Sequence, residues 1–586
     1  MTAYVFDIEA DGLDPTKIFC IVAMDTETGK TYEYDPESID KGIDFLKNAK
    51  KLIGHNILGY DIPVIKKLHG VDLDDGAINI VDTLVLSRLF NPAREGGHGL
   101  ESWGYRLRHR KIEYDNFEYY TPEMLKYCKQ DVSLNYKVYR HLSRTESAEF
   151  SAYSIKLEHD VYRILNEQRN RGFKLDQQHA MELLAELNER LIGAEKKVHK
   201  TFKPRETSIE LTAVYTKAGS LSKMANVKGE SKKVRLSDEE YEKFSKDPNQ
   251  HLVRCDSEPF NLGSRKQIGE YLLEFGWKPT KFTPTGQPIV DEKVLSQIKN
   301  IPEAAIIAEY LMLQKRIAQI NSWFKEMEDD GRIRGYVNTI GAVTGRMTHS
   351  HPNMAQVPST SSPYGKECRE CWTVDKDYRL VGIDASGLEL RMLAHYMNDE
   401  GFTYELLNGD IHTANQMAAG LESRPQAKTF IYALLYGAGD AKLGSVVGGN
   451  AKDGGRLRQS FFDNLPAFKN LKDRVARASK RGYLKGLDKR KLFVRSEHAA
   501  LNTLLQGAGA IVMKQALVNL QESIKDLDAH FVANVHDEWQ IEAHKDVADK
   551  VGELGIAAIE KAAKDFNLKC ELTGEYNVGN NWADTH

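Results

Sequence analysis

Cysteine is scarce in this chain, with six residues in 586. They are scattered, and the one close pair, Cys368 and Cys371, lacks the second pair that a zinc site would need. A disulfide-stapled scaffold and a structural zinc fold are set aside, and free thiols in a reducing cytoplasm fit best. No apolar run reaches the ~18 residues that a membrane span needs, and no basic-then-apolar segment opens the chain as a secretory signal would. Neither sign of charge dominates: 80 Lys and Arg stand against 84 Asp and Glu, a net charge of −4. That balance neither demands nor excludes a nucleic-acid partner and leaves the question to local patches. No internal repeat or low-complexity tract is seen, which sets aside repeat architectures.

What is present is the composition of a globular protein, 41% hydrophobic and 28% charged, with a mean hydropathy of −0.49. The length exceeds what one hydrophobic core supports, so three or more structural units are expected. Residues 1 to about 145 alternate short strands (AYVFDI, FCIVAMDT, KLIGHNI) with helical segments, an α/β pattern. From about 150 to 200 apolar residues recur at three-and-four spacing, which predicts helices. Residues 196–235 then carry 11 Lys and Arg against 3 Glu with no clear period. Such a stretch reads either as a solvated mobile loop or as a flexible arm that follows a phosphate backbone or docks a partner. Helices resume in GSRKQIGEYLLEFGW and EAAIIAEYLMLQKRIAQINSWFKEM, and from about 333 strands and helices mix again.

The segment YVFDIEADG sets Asp7 and Glu9 two residues apart on an apolar strand. Alternation puts Tyr4, Phe6 and Ile8 on one face and both acids on the other. Like charges side by side on a sheet are unfavourable unless a cation lies between them. Further along, LIGHNILGYDIPVI places Asp61 after a strand and a His-Asn turn, and YCKQDVSLNYKVY spaces Tyr127 and Asp131 one helical turn apart. Asp7, Glu9, Asp61 and Asp131 with a tyrosine are the parts of a two-metal phosphodiesterase, in which carboxylates clamp two cations ~3.5–4 Å apart. The Tyr127 hydroxyl can orient the attacking water.

A second acid set lies far away. RLVGIDASGLELRMLAHYMND ends an apolar strand at Asp384 and continues into a helix bearing Glu389 and Arg391. FVANVHDEWQIEA ends a strand at His536-Asp537-Glu538 and begins another, which predicts acids in a hairpin turn. Buried acids at strand ends are costly unless paired or metal-bound. Between the two, SRPQAKTFIYALLYGAG repeats Arg424, Lys428, Tyr432 and Tyr436 every four residues. At ~100° per residue these four share about a third of the helix circumference. Two cations at the positive end of a helix suit a triphosphate, and two rings beyond them suit a base or sugar.

DIE, the HN turn with its following Asp, and YxxxD resemble the three exonuclease motifs of the DEDD group, tyrosine subtype, on a ribonuclease-H-like fold. GIDASGLELR, AKTFIY, LYGAGD, RSEHAALNTLLQ, VHDE and the terminal NNWADTH resemble family A DNA polymerases, nearest to the replicative enzymes of short-tailed (podovirus) coliphages. The resemblance implies a multidomain α/β and α+β chain. It would comprise a 3′–5′ exonuclease domain over 1–145 and a thumb over 146–332 with a basic insertion at about 196–260. A palm would follow over 333–409 and 506–586, with fingers over 410–505. It implies template-directed addition of dNTPs to a primer 3′ end, with proofreading, in a replicative role. A repair polymerase of low processivity and a replication scaffold with dead sites are the alternatives.

Residue by residue, the resemblance makes Asp384 and Asp537 metal ligands with the Ala385 carbonyl, and sets Glu538 nearby in support. His412, Arg424 and Lys428 would take the triphosphate, with Lys428 also a proton donor to pyrophosphate. Tyr432 and Tyr436 would pack on the incoming sugar and the templating position. Glu389 would close the space beside the 2′ position and so select deoxynucleotides, and a tyrosine at Tyr432 implies ready use of dideoxynucleotides. Arg346, Asn353, Gln356, Asn502, Gln506 and His536 would contact the duplex, probing minor-groove acceptors common to all pairs. Ala355 departs from the glutamine of many bacterial relatives. In the exonuclease, Asp7, Glu9 and Asp131 would hold metal with Asp61 and Tyr127 beside them, all expected to be active. Mg²⁺ is the implied cofactor, two ions per site, with Mn²⁺ able to substitute. Implied partners are primer–template DNA and dNTPs, with a processivity factor, thioredoxin-like or other, at 196–260, and a replisome helicase or primase. The cytoplasm, that of a host cell for a phage protein, is the expected location. Because the chain opens on the exonuclease motifs, no separate 5′ nuclease domain is expected.

Overall fold

The computed structural model describes residues 2–586. It divides into two compact units, one built from the chain up to Gln177 together with Glu326–His586, the other from Gln178–Lys325.

In the first unit, Ala3–Ala10 (β1), Ile18–Asp25 (β2), Thr31–Tyr34 (β3), Lys51–Gly54 (β4) and Asn79–Asp82 (β5) form one sheet in the order β3-β2-β1-β4-β5. The first three strands run antiparallel, and β4 and β5 run parallel to β1. Tyr4, Phe6 and Ile8 pack with Ile21, Ala23 and Leu52 on one face, as the alternation predicts. The other face is roofed by the helix Pro122–His141, whose Met124, Cys128 and Val132 meet Val5, Phe19 and Val22. Asp7 and Glu9 therefore point into a sheet–helix seam. The helices Ile39–Lys47 and Asp61–His69 (α1) pack on the first face and Pro122–His141 (α2) on the other, and Ala152–Arg171 (α3) follows α2 in the chain. α2 starts where its sequence says it should: Thr121 caps it, accepting a hydrogen bond from the Met124 amide at 3.1 Å, and Pro122 fills the first position.

The C-terminal part of this unit centres on an antiparallel sheet of Tyr378–Ala385 (β6), Ala529–Val535 (β7), Glu538–His544 (β8) and Gly574–Gly579 (β9), ordered β7-β8-β6-β9. Around it stand Leu388–Met397 (α4), Ile411–Ala419 (α5), Arg424–Leu435 (α6), Ala500–Ile524 (α7) and Ala548–Asp565 (α8). α8 lies unusually close to the sheet. A Cβ on Gly552 would stand 2.2 Å from Tyr576 and one on Gly555 2.3 Å from Ile383, so only glycine permits this packing. A buried ionic cluster ties α3 to the rest of the unit. Glu158 accepts from Lys514 of α7 at 2.7 Å and from Arg490, which also grips Asp488 at 2.6 Å.

The second unit packs the helices Gln177–Thr201 and Pro302–Glu326 around Val198, Phe202, Phe260, Leu272 and Ile307. α3 lies outside it and buries Leu157, Val161 and Leu165 in the first unit's core. The reading of 196–235 as a mobile loop or flexible arm is corrected. The helix runs to Thr201, and Arg205–Tyr215, Leu221–Val227, Lys233–Arg235 and Leu252–Glu258 then form a four-stranded antiparallel sheet. The helix Asp238–Lys246, with a Ser237–Glu240 capping box, joins a small core of Leu211, Ala225, Val227, Leu236 and Phe244. The inward strand positions are few, so the charged and polar residues around them hid the alternation. No helix among the described residues is long and apolar enough to cross a membrane.

Candidate functional site

The first site is the seam between β1 and α2. Its period-2 alternation delivers Asp7 and Glu9, and α2 presents Tyr127 and Asp131 to the same place. Asp61 enters as the first residue of α1, and its Oδ1 accepts the Ile8 amide at 3.1 Å, which fixes α1 to the strand between the two acids. The turn before it is rigid. Asp82 accepts from the amides of Asn56 (3.0 Å) and Leu58 (3.1 Å) while capping the next helix through Leu84. All the acids predicted for this site converge. Burial and then mutual repulsion push Asp7 well above the carboxylate range, and burial, first among the causes, takes Glu9 up to about 9 and Asp61 up to about 7.

Lys111 is the member that the sequence did not reveal. Its Nζ lies 2.6 Å from Asp131 Oδ2 and donates to the Tyr127 hydroxyl at 2.8 Å. Burial disfavours its charge, and Asp131 with Tyr127 more than offsets this, holding the ammonium charged. Tyr127 is pushed up to about 12, chiefly by burial, and its ring stacks on Tyr114 at 5.5 Å. Asp131 Oδ1 is buried with no hydrogen-bond partner. A carboxylate oxygen left bare among three other acids fits a divalent cation, so the donor set suits a metal.

Beside this site the His55–Asn56 turn lines a cavity of about 410 Å³, with Arg88, His98, Arg169, Tyr336 and Asn338 among its walls and no acid. Arg88 and Arg169 flank the Tyr336 ring at 5.9 and 5.7 Å. Arg88 Nε and Nη1 are buried with no acceptor, which makes the cavity suited to an anion.

The second site sits at the end of the β6–β8 sheet. Asp384 pairs directly opposite Glu538, and the Ala385 amide donates to the Asp537 carbonyl at 3.1 Å, so the acid-bearing strand and the hairpin are tied together. The hairpin loop is the two residues His536 and Asp537, with His536 at φ 60°. A side chain held in the left-handed region costs ~1–3 kcal/mol and recurs where function demands it. Glu538, expected in the turn, is the first residue of β8. It is buried and accepts from Trp582 Nε1 at 2.5 Å and Gln540 Nε2 at 2.6 Å, with His586 Nδ1 at 3.3 Å and Arg369 at 3.8 Å. Burial opposes its charge, yet the bonds of His586 and Trp582 with the Arg369 charge hold it ionised, below the usual range. Asp384 behaves oppositely, pushed up to about 7 by burial, Asp537 and Glu538, while burial also raises Asp537. Two under-compensated acids beside an anchored third are again a donor set suited to divalent metal.

α6 faces this centre with the predicted stripe. Ser423 caps it in a box with Gln426, and Pro425 sits in the first turn. Arg424 and Lys428 are exposed, Tyr432 is half-buried, and the Tyr432 and Tyr436 rings stack at 6.4 Å. His412 of α5 joins the cationic end: burial, Arg424 and Lys428 all push it below its usual range, and its ring stands 6.5 Å from Tyr432. Arg424 is held by Asp410, 2.7 Å away, a partner not foreseen. Glu389 closes the other end, accepting from the Tyr436 hydroxyl at 2.9 Å and from Arg346 at 3.1 Å. Arg346, expected on the duplex, is thus paired with Glu389 here. Asn502 and Gln506 lie one turn apart on α7, both half-buried, while Asn353 precedes and Gln356 ends the short turn Met354–Gln356.

Fold and sites together define a two-centre α/β protein, with one acid centre enclosed beneath a helix and the other open to a helix that is cationic at one end and aromatic at the other. Residues 231–584 match the family described as DNA polymerase family A. The DNA-directed DNA polymerases of Enterobacteria phage T3 and Escherichia phage T7 are each 35% identical to this chain, over 99% of its length and 100% of theirs. A DNA polymerase I of Pseudomonas aeruginosa is 28% identical over 56% of this chain and 39% of its own. A solved structure, the POL domain of Pol1 from M. smegmatis in complex with DNA primer-template and dNTP, has the same fold. It gives a TM-score of 0.77 over 99% of this chain and 95% of that one, at 18% identity. The chain belongs to DNA polymerase family A.

Proposed function

We propose that this chain is a template-directed DNA polymerase with an intrinsic 3′–5′ proofreading exonuclease, serving replication. The observation that carries the polymerase reading is the α6 stripe, which runs from Arg424 and Lys428, joined by His412 of α5, to Tyr432 and Tyr436 and ends on Glu389 beside Asp384 and Asp537. The convergence of Asp7, Glu9, Asp61 and Asp131 with Tyr127 and Lys111 carries the exonuclease reading. In this reading residues 1–145 are the exonuclease domain on a ribonuclease-H-like fold, and 146–332 the thumb with its basic insertion at about 196–260. Residues 333–409 and 506–586 form the palm, and 410–505 the fingers.

Asp384 and Asp537 with the Ala385 carbonyl, and separately Asp7, Glu9 and Asp131, would hold Mg²⁺ pairs, which supply charge neutralisation and an activated oxygen nucleophile. The chain's own residues do the rest. Arg424, Lys428 and His412 receive the triphosphate at the positive end of α6, and Lys428 is placed to give a proton to departing pyrophosphate. Tyr432 and Tyr436 pack on the sugar and base, and Glu389 fills the space a 2′-hydroxyl would need. Glu538, locked by Trp582, holds the hairpin that aims Asp537. In the exonuclease, Tyr127 orients the attacking water and Lys111 fixes Tyr127 and Asp131. The acid-free cavity beside Asn56 suits the phosphates of a frayed strand entering that site.

The test is a labelled primer with a 3′ mismatch on a longer template in Mg²⁺, followed before and after dNTPs are added. Shortening first and full extension afterwards supports both sites. Extension without trimming removes the proofreading claim, and trimming without synthesis removes the polymerase claim. A sharper measurement concerns Tyr432. Tyr432→Phe should leave dNTP addition intact and raise discrimination against dideoxynucleotides, read as weaker termination bands in a chain-termination ladder.

A further inference from the structure

Cys128 has no part in the mechanism above, yet it forms the floor of the first acid centre. It lies on α2 one residue after Tyr127 and three before Asp131, a spacing that turns it to the same side as Asp131. It is fully buried, and its Sγ stands 3.5 Å from the Asp7 carbonyl oxygen and 3.9 Å from Asp7 Oδ2. One donor atom each from Asp7, Glu9 and Cys128 lie within 4.8 Å of one another, the only such group among the described residues. Around a tetrahedral Zn²⁺, with Zn–S of ~2.3 Å and Zn–O of ~2.0–2.2 Å, sulfur and oxygen ligands stand roughly 3.5 Å apart. The observed spacing needs only a small adjustment to meet that value.

A second observation points to the same spot. Asp131 is only 4% exposed, and its Oδ1 has no hydrogen-bond partner while its other oxygen is taken by Lys111. A fourth donor is therefore in reserve beside the three. Hard ions such as Mg²⁺ do not recruit sulfur, whereas Zn²⁺ and Cd²⁺ do.

We propose that the exonuclease centre is a mixed carboxylate–thiolate site in which Cys128 captures thiophilic divalent cations, Zn²⁺ or Cd²⁺, in competition with Mg²⁺. The inference rests on the reading of Asp7 and Glu9 as metal ligands. On capture the Cys128 S–H bond breaks, its proton leaves to solvent, and a sulfur–metal bond forms with no change of oxidation state. Trimming is thereby more sensitive to trace zinc than addition at the Asp384–Asp537 centre, whose carboxylates bring no thiol to the metal.

The test uses the full chain, stripped with chelator and titrated with Cd²⁺. Wild type should develop one equivalent of the thiolate-to-Cd²⁺ charge-transfer absorption in the ultraviolet. Cys128→Ala and the near-isosteric Cys128→Ser should abolish it and weaken Cd²⁺ binding by about tenfold or more in calorimetry. Cys20→Ala is the control for the neighbouring thiol, since Cys20 pairs opposite Glu9 in the sheet, and it should keep the band. Primer extension at the other centre reports that each variant is folded. A band of full strength in both Cys128 variants, or none in wild type, overturns the proposal. Failure of the exonuclease reading looks different: the Cd²⁺ band would follow Cys128 as expected, but no Mg²⁺-dependent trimming would depend on Asp7 or Glu9.

Discussion

Lys111 carries the main residue-scale prediction. Among the described residues it alone offers a cation to Asp131 and a donor to Tyr127, and groups that orient metal ligands are typically worth ~10–100-fold in activity. Lys111→Met should therefore slow trimming by roughly that factor, with primer extension unchanged, in paired single-turnover assays. The reason it escaped the sequence is plain in RLRHRKIEYDN, where it is one cation among several in a stretch without period. Asp7 with Glu9, and Tyr127 with Asp131, were legible because a strand period and a helix period each force the pair onto one face. The partners of Glu538 were hidden for another reason: Trp582 and His586 come from the chain's last turn, 44 or more residues away.

Among elements, α6 was readable from its four-residue stripe, a purely local signal, while its Ser423–Gln426 capping box emerged only in the fold. The sheet at 205–258 was not, because its inward residues Leu211, Ala225 and Val227 are spread thinly among charged and polar ones. Helix α3 shows a third situation. Its three-and-four spacing predicted a helix, but nothing in the sequence said that Glu158 would be buried between Lys514 and Arg490, contributed by segments more than 300 residues distant. Removing one partner of a buried ionic cluster leaves uncompensated charge, a cost of ~3–5 kcal/mol. Glu158→Ala should lower stability by about that amount in denaturant unfolding. Lys514, pushed down to about 8 by burial, is the cation best able to shed its proton in that variant.

At the scale of the whole molecule, the acid centres couple stability to pH. Burial lifts Glu9 from its ordinary 4.5 to about 9, so between those values the metal-free fold holds a proton that the unfolded chain releases. Its contribution is full below about 4.5 and is lost as pH rises through about 9. The melting temperature in chelator should fall more steeply with rising pH for wild type than for Glu9→Gln. Because a cation replaces the proton, stabilisation by Mg²⁺ should grow over the same interval. Calorimetric scans of both proteins, with and without Mg²⁺, measure the difference.

The small sheet of the second unit begins at Arg205 and ends at Glu258, and these two residues face each other across adjacent strands. Entry and exit are thus one strand spacing apart, ~5 Å, and the sheet has its own core while Phe202, Phe260 and Tyr271 close the helical core beneath it. Excising 206–257 and joining the ends through a short glycine turn should leave a folded protein whose single-nucleotide addition is unaltered, measured by rapid quench. The position is in effect a socket. Whatever such a cartridge grips can then change without renegotiating the enzyme that carries it.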